Sequence, residues 1–256
     1  MLLAVDIGNT NIVFGLYQGT KLAQTFRVET ARSRTADEYG VLLGQMLGLR
    51  GFDPKAISAS IVASVVPPLT DVMVEAIRHA FAREPVVVGP GLKTGIAVKY
   101  ESPRDVGADR IVNAVAAFER YHAGVIVVDF GTATTFDCVS PKAEYLGGII
   151  VPGVQVSLDG LLARAAKLSR IEIAAPPKVV GRNTTHALQS GIVHGYGSLV
   201  DGLVGKIERE LEFPCHVLAT GGLARLIAPY TERLSVIDDN LTLEGLRILH
   251  ERNQNT

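Results

Sequence analysis

Two carboxylates stand where an apolar run ends, and both open onto a glycine. Asp6 closes Leu2-Leu-Ala-Val5 and is followed by Ile7-Gly8-Asn9-Thr10-Asn11; Asp129 closes Val125-Ile-Val-Val128 and is followed by Phe130-Gly131-Thr132-Ala133-Thr134-Thr135. A glycine there removes a Cβ and permits positive φ, so the backbone can turn tightly and present successive N–H groups, while Asn and Thr side chains add hydrogen-bonding partners. Such a turn can hold a phosphate. A carboxylate beside phosphates repels them unless a cation intervenes, so Asp6 and Asp129 read as direct or water-mediated ligands of hard cations. Taken singly, Asp-x-Gly-Asn is also the pattern of an ordinary Asx-turn hairpin. The second copy, about half a chain later, argues that the two act together, as carboxylates facing a metal-bound nucleotide across a cleft.

A third glycine turn, Leu218-Ala219-Thr220-Gly221-Gly222-Leu223-Ala224, again follows an apolar strand and precedes a helical pattern. It is placed to lie against the adenosine or α-phosphate of a nucleotide, or to serve as a plain strand-to-helix turn. The patterns GxxxxGK[ST] and GxGxxG are both absent, so the single-loop phosphate cradles do not apply.

Between the two repeats lies Lys99-Tyr100-Glu-Ser-Pro-Arg104-Asp105-Val-Gly107-Ala108-Asp109-Arg110. Ile111, Ala114, Val115 and Phe118 make the apolar face of a helix, which puts Asp109 and Arg110 in or just before its first turn. The free N–H groups of that turn should keep Asp109 ionised near neutral pH, fit to accept a hydroxyl proton as general base, with Arg110 holding an anionic acceptor or a phosphate. From spacing alone, a capping aspartate beside a solvated arginine is the simpler reading. Farther on, Gly181-Arg182-Asn183-Thr184-Thr185-His186 reads as a helix start capped by Asn183 or Thr184, with hydroxyls able to reach a polar substrate and His186 as an ordinary surface or satisfied histidine. Tyr145–Gly153 and Ile192–Leu199 read mainly as core, with closure over a ligand or a subunit interface as the other uses of such stretches.

These residues need a frame that sets them at strand ends. Short β-branched runs at Ser60–Val66, Pro85–Val88, Val125–Asp129 and His216–Thr220 alternate with helical-period segments at Thr70–Ala82 and Ile111–Tyr121, which is an α/β pattern. The repeat at half-length predicts a duplicated unit. Two lobes follow, residues 1–121 and 122–256, the first with a phosphate turn and the acceptor segment, the second with the other phosphate turn and Gly221-Gly222. With 256 residues and 47% hydrophobic composition the chain can build a substantial core. Lys and Arg number 25 against 26 Asp and Glu, a net charge of −1, so no whole-protein field favours nucleic acid or an anionic membrane, and phosphate recognition must be local. Cys138 and Cys215 have no metal-ligand or disulfide spacing, and no apolar run approaches the roughly twenty residues of a membrane span, so the expected setting is the cytoplasm.

The ordered set DIGNTN, GADR, DFGTATTFD, GGIIVPG, GRNTT and TGGLA resembles the type III pantothenate kinases, bacterial enzymes of the acetate kinase, sugar kinase, Hsp70 and actin superfamily. The resemblance runs in order from Asp6 to Leu246. It implies an actin-like fold of two duplicated lobes around an ATP cleft, and phosphorylation of pantothenate by ATP, the first step of coenzyme A synthesis. It makes Asp6, Ile7, Gly8, Asn9, Thr10, Asn11, Ile12 and Val13 the first ATP-binding segment and Thr132 a contact in the second. Tyr100, Gly107, Ala108, Asp109 and Arg110 become the pantothenate segment, with Asp109 as proton acceptor and Thr184 as a further substrate contact. Asp129 becomes the ligand of a monovalent cation, K⁺ or NH₄⁺, used along with Mg²⁺, for which Asp6 is the water-mediated candidate. It also implies a homodimer in which Thr184 serves the partner's site. The rivals are another small-molecule kinase of the same fold and a non-catalytic regulatory factor, and fold alone does not choose between them.

Overall fold

The computed structural model describes residues 1–254. They form two compact units, one of Met1–Ala117 with the stretch from Leu241 onward, the other Phe118–Asn240.

In the first unit β1 (Leu2–Ile7) pairs antiparallel with β2 (Asn11–Gln18), which continues antiparallel to β3 (Lys21–Glu29). After α1 (Ala36–Leu49) the chain returns as β4 (Ala59–Ser64), parallel to β1, and after α2 (Pro67–Phe81) as the short β5 (Val86–Val87), giving the order β3-β2-β1-β4-β5. Alternation along β1 sends Leu3, Val5 and Ile7 into a core shared with Tyr39, Leu43 and Leu47 of α1 and with Leu69 and Met73 of α2. Asp6 therefore falls on the opposite face. Helix α1 starts in a capping box, Thr35 Oγ1 accepting from Glu38 N at 3.3 Å while the Glu38 carboxylate accepts from Thr35 N at 2.7 Å. Helix α2 starts three residues before the Thr70 suggested by its apolar period, because Pro67 brings the φ and the missing N–H that a first turn accommodates.

The chain then passes β6 (Ala97–Val98), a 3₁₀ turn at Pro103–Asp105, and α3 (Ala108–Tyr121), and the division between units falls inside α3. In the second unit β7 (Gly124–Phe130) pairs antiparallel with β8 (Ala133–Val139), which pairs antiparallel with β9 (Glu144–Pro152). Helices α4 (Val154–Arg164) and α5 (Thr184–Leu211) lead to β10 (Cys215–Thr220), parallel to β7, and α6 (Ala224–Ile227) to β11 (Val236–Ile237), parallel to β10. Among the strands of Phe118–Asn240, the order β9-β8-β7-β10-β11 repeats the order and directions of the five-stranded sheet of the first unit. The duplication expected from the two Asp-Gly motifs is therefore a duplication of topology. Here Ile126, Val128 and Phe130 face the core with Val193, Val200 and Val204 of α5, and Asp129, like Asp6, lies on the other face.

The last helix, α7 (Leu241–Asn253), differs from the sequence division at 121/122, because it packs with the first unit. Its Leu243 reaches within 2.9 Å of where a Cβ on Gly15 of β2 would stand, its Gly245 packs on the backbone of Val112, and Thr242 Oγ1 donates to Asn113 Oδ1 at 2.8 Å. Two glycines thus let α7 close on β2 and α3, a tertiary fit with no local signal in the sequence. Cys138 is buried and Cys215 half-buried, both as thiols, and burial pushes the Cys215 thiol up to about 11, away from reactivity. Among the described residues no helix is long and apolar enough to cross a membrane.

Candidate active site

The turn after β1 is a hairpin in which Gly8 N donates to Asn11 O at 3.0 Å and Asn9 and Thr10 are exposed. It is tied to the chain beyond β3: Thr30 Oγ1 donates to Gly8 O at 2.7 Å, Thr30 N to Thr10 O at 3.0 Å, and Arg32 Nη2 to Asn9 Oδ1 at 3.2 Å. Gly8 does not take the positive φ that its place after Asp-Ile suggested, and neither does Gly131. What Gly8 supplies is room, since a Cβ there would stand 3.0 Å from Asn11 O. Ile12 is buried and Val13, the antiparallel partner of Asp6, is half-buried, so these two anchor the turn in the sheet.

The turn after β7 is shorter, Gly131 and Thr132 alone, both exposed. It is held from below by backbone. Gly153, which caps α4, donates its N–H to Thr132 O at 3.1 Å and comes so close that a Cβ on it would lie 2.7 Å from Gly131 O and closer still to Thr132 O. Tyr196 of α5 supports this base, donating to Pro152 O at 2.9 Å and sharing a 2.6 Å hydrogen bond with Ser157 Oγ. Within Tyr145–Gly153, read mainly as core, the structure thus singles out Pro152-Gly153 as the seat of the second turn. Sequence reasoning missed that role; its signal was a Pro-Gly pair between strand and helix.

The third glycine turn joins the second. Gly221 takes a left-handed φ of +92°, and a Cβ on it would stand 2.6 Å from Asp129 Oδ1 and from Phe130 O. The Thr220 and Asp129 positions are register partners of β10 and β7. So the glycine at 221 fits against the Asp129 carboxylate itself, more intimate than the adenosine-side contact expected for it. Across the β7–β8 pair Asp129 is the register partner of Thr135. The side chains at this point offer oxygen only, a donor set suited to hard cations of the alkali and alkaline-earth kind and ill suited to soft metals. Among the described residues no group of three or more His, Cys, Asp or Glu could hold a metal by itself.

Asp109 sits in the first turn of α3 and folds back over Gly107, with Oδ1 2.5 Å from where a Cβ on Gly107 would be. The same point is 3.5 Å from Val65 Cγ1, and Val65 N donates to Ile7 O at 3.0 Å. Asp109 is thereby set at the carboxyl ends of the parallel strands β1 and β4, the edge from which the first turn springs and where α/β sheets collect ligands. Arg110 N donates to Asp109 Oδ1 at 2.8 Å. The helix start was expected to keep this carboxylate readily ionised, but burial outweighs it and raises Asp109 above the ordinary carboxylate range, against the opposing pull of the Arg110 amide and guanidinium. Arg110 is 9% exposed, which sets aside its reading as a solvated surface charge.

Tyr100 is 37% exposed in the stretch between β6 and α3, and Ala108 opens the helix. Of the two residues considered as cap of α5, Asn183 takes the place, its Oδ1 accepting from His186 N at 2.8 Å, which leaves Thr184 exposed at the first helical position. His186 Nδ1 lies 3.2 Å from Asn183 Nδ2, the satisfied histidine expected. The segment before the cap is pinned by Gly181, packed on the backbone of Ala187, and by Ser190 Oγ, which donates to Val179 O at 2.5 Å.

A sequence model of the type III pantothenate kinases matches residues 2–206. The chain belongs to the type III pantothenate kinase family. Among relatives, the type III pantothenate kinase of Myxococcus xanthus (strain DK1622) is 54% identical over 253 residues, covering 99% of each chain. That of Anaeromyxobacter sp. (strain Fw109-5) is 55% identical over 254 residues, 99% of this chain and 100% of its own. Distant solved structures share the fold: the inorganic polyphosphate/ATP-glucomannokinase of an Arthrobacter species aligns over 100% of this chain and 99% of its own, with a TM-score of 0.50 at 14% identity. The fold of this pantothenate kinase family member is the actin-like, two-lobed α/β fold of the sugar kinases.

Proposed function

We infer that in this kinase, whose reaction is the phosphorylation of pantothenate by ATP at the entry to coenzyme A biosynthesis, Asp109 takes the proton from the attacking hydroxyl. The observation that carries this is the placement of its carboxylate over Gly107 at the carboxyl edge of β1 and β4, buried enough to raise its proton affinity. A carboxylate whose proton affinity is raised is, in its ionised form, a better base than an ordinary one. Gly107, Ala108 and Arg110 complete the pantothenate segment: Gly107 leaves room for the carboxylate, Ala108 keeps the helix start narrow, and buried Arg110 offers a fixed positive charge to an anionic acceptor. Tyr100 and Thr184, both exposed, are further substrate contacts.

On the donor side, Asp6 through Val13 and the Gly131-Thr132 turn hold the ATP phosphates with backbone N–H groups and the Asn9, Thr10, Asn11 and Thr132 side chains. A divalent ion arriving with ATP, Mg²⁺ in this reading, neutralises charge on the phosphates, and Asp6 is placed to meet its water shell. Asp129 holds a monovalent cation, K⁺ or NH₄⁺, consistent with its oxygen-only surroundings. The rate advantage then comes from positioning and electrostatics, with proton removal by Asp109 as the acid–base part. The protein works as a homodimer in the cytoplasm, Thr184 serving the partner's pocket. An exposed apolar set in the second unit supports a dimer face: Ile150 is 62% exposed, Val156 and Leu161 46%, Val179 64% and Val180 79%.

The test is Asp109→Asn. Turnover of pantothenate should fall by about 10²- to 10⁴-fold, the usual worth of a general base, while ATP binding stays near normal. Turnover within a few-fold of the native enzyme would remove Asp109 from the proton-accepting role. The pH profile carries the sign. Asp109 must be ionised to act, so activity falls as pH drops through its raised value, and the acid limb should lie above the ordinary carboxylate range. Because its folded-state proton affinity is raised, its contribution to stability runs oppositely, diminishing as pH rises through the same region.

A further inference from the structure

Behind Asp129, on the same face of the second sheet, lies a polar chain that the proposed mechanism has not used. Thr135 Oγ1 donates to Asp137 Oδ2 at 3.1 Å, and Tyr145 OH donates to Asp137 Oδ1 at 2.7 Å. Asp137 and Tyr145 are both 0% exposed. A carboxylate in the interior of a sheet is costly to desolvate, and an apolar residue of similar size would serve packing better, so its presence there points to a role other than packing.

We infer that Tyr145, Asp137 and Thr135 form a hydrogen-bonded relay that fixes the Thr135 hydroxyl as a second oxygen for the cation at Asp129, with buried Asp137 and Tyr145 as positioning residues. The inference rests on the reading of Asp129 as the ligand of a monovalent cation. Its first support is register: Asp129 and Thr135 are directly opposed across the antiparallel β7–β8 pair, so their side chains leave the sheet on one face with Cβ atoms about 5 Å apart. The second is proton bookkeeping. The Thr135 hydroxyl has one proton and gives it to Asp137, so toward Asp129 it presents lone pairs. A hydroxyl oxygen and a carboxylate set side by side in this way favour a positive charge between them. The third is the order of the chain: Tyr145 gives its own proton to the other Asp137 oxygen, which holds the carboxylate plane in place and leaves Oδ2 to the threonine. On the far side Gly221 closes against Asp129 Oδ1, so the carboxylate has little freedom to turn away.

The relay is tested on the full-length enzyme with Thr135→Val, Thr135→Ser, Asp137→Asn and Tyr145→Phe, using Asp129→Asn as reference. KCl is titrated against NaCl at constant ionic strength, and both the thermal midpoint and the turnover rate are followed. Thr135→Val and Asp137→Asn should raise the half-saturating potassium concentration by about 10- to 100-fold, the usual range for lost support of a metal ligand, and should shrink the preference for potassium over sodium. Tyr145→Phe should shift it in the same direction by less, and Thr135→Ser should restore the native response, which a packing role for the threonine methyl would not do. A native potassium response in Thr135→Val overturns the relay. If Asp129→Asn loses that response while Thr135→Val keeps it, the relay alone fails; if Asp129→Asn also keeps it, the cation reading of Asp129 fails with it.

Discussion

The turn after β1 and the turn after β7 descend from one pattern, an apolar strand ending Asp-x-Gly, and occupy equivalent places in equivalent sheets, yet they are held by different means. The first is the longer and is tied mostly by side chains, those of Thr30 and the exposed Arg32 reaching in from beyond β3, with one backbone bond from Thr30 N to Thr10 O. The second is two residues long and rests on backbone, with Gly153 beneath it and Gly221 beside it. Side-chain ties can lengthen or rotate at a cost of about 1 kcal/mol each, whereas backbone packed on backbone has no soft coordinate to absorb a change. The duplicated halves thus differ in stiffness: the first turn has room to adapt its shape, and the second is a fixed seat beside Asp129.

Single added methyl groups discriminate between the two modes. Gly153→Ala should be the most damaging, because its Cβ would meet the carbonyls of Gly131 and Thr132; a loss of about 3 kcal/mol in unfolding free energy and a marked rise in the KM for ATP are expected, read by denaturant titration and steady-state kinetics. Next comes Gly221→Ala, strained by its φ of +92° and by Asp129 Oδ1 at 2.6 Å, with an expected loss of about 2 kcal/mol and a weakened response to potassium. Gly8→Ala should be mildest for stability, under about 1 kcal/mol, since Asn11 O at 3.0 Å need retreat only a few tenths of an ångström. Equal losses for Gly8→Ala and Gly153→Ala would erase the distinction between an adaptable turn and a rigid one. A Gly8→Ala enzyme of native stability with impaired ATP use would sharpen it, by showing that Gly8 makes space for ligand more than for the fold.

What the sequence made legible follows the reach of its signals. The repeat of Asp-x-Gly predicted a repeat of sheets because strand order and motif travel together, and the apolar period of Ile111, Ala114, Val115 and Phe118 placed α3 and hence Asp109. The helix start at Asp109 was legible because it is a neighbour in sequence, whereas the burial that raises its proton affinity depends on residues that only the fold brings around it. For Gly8 the residue type offers both a missing Cβ and a left-handed backbone, and only the surrounding carbonyl shows that space was the need. The Tyr145–Asp137–Thr135 chain was invisible because β8 and β9 must be paired before those side chains meet.

The return of α7 to the first unit has a consequence for how the polypeptide matures. As the chain emerges during synthesis, Phe118–Asn240 is one uninterrupted stretch and can finish its own sheet, while the first sheet still lacks the helix that covers Gly15. Joining Leu243 to Gly15 closes a loop of more than two hundred residues, a contact whose entropic cost falls on a late step of folding. The first half of the chain to be made is then the last half to be completed, and its apolar face over Gly15 is what the nascent protein leaves open longest to misassembly.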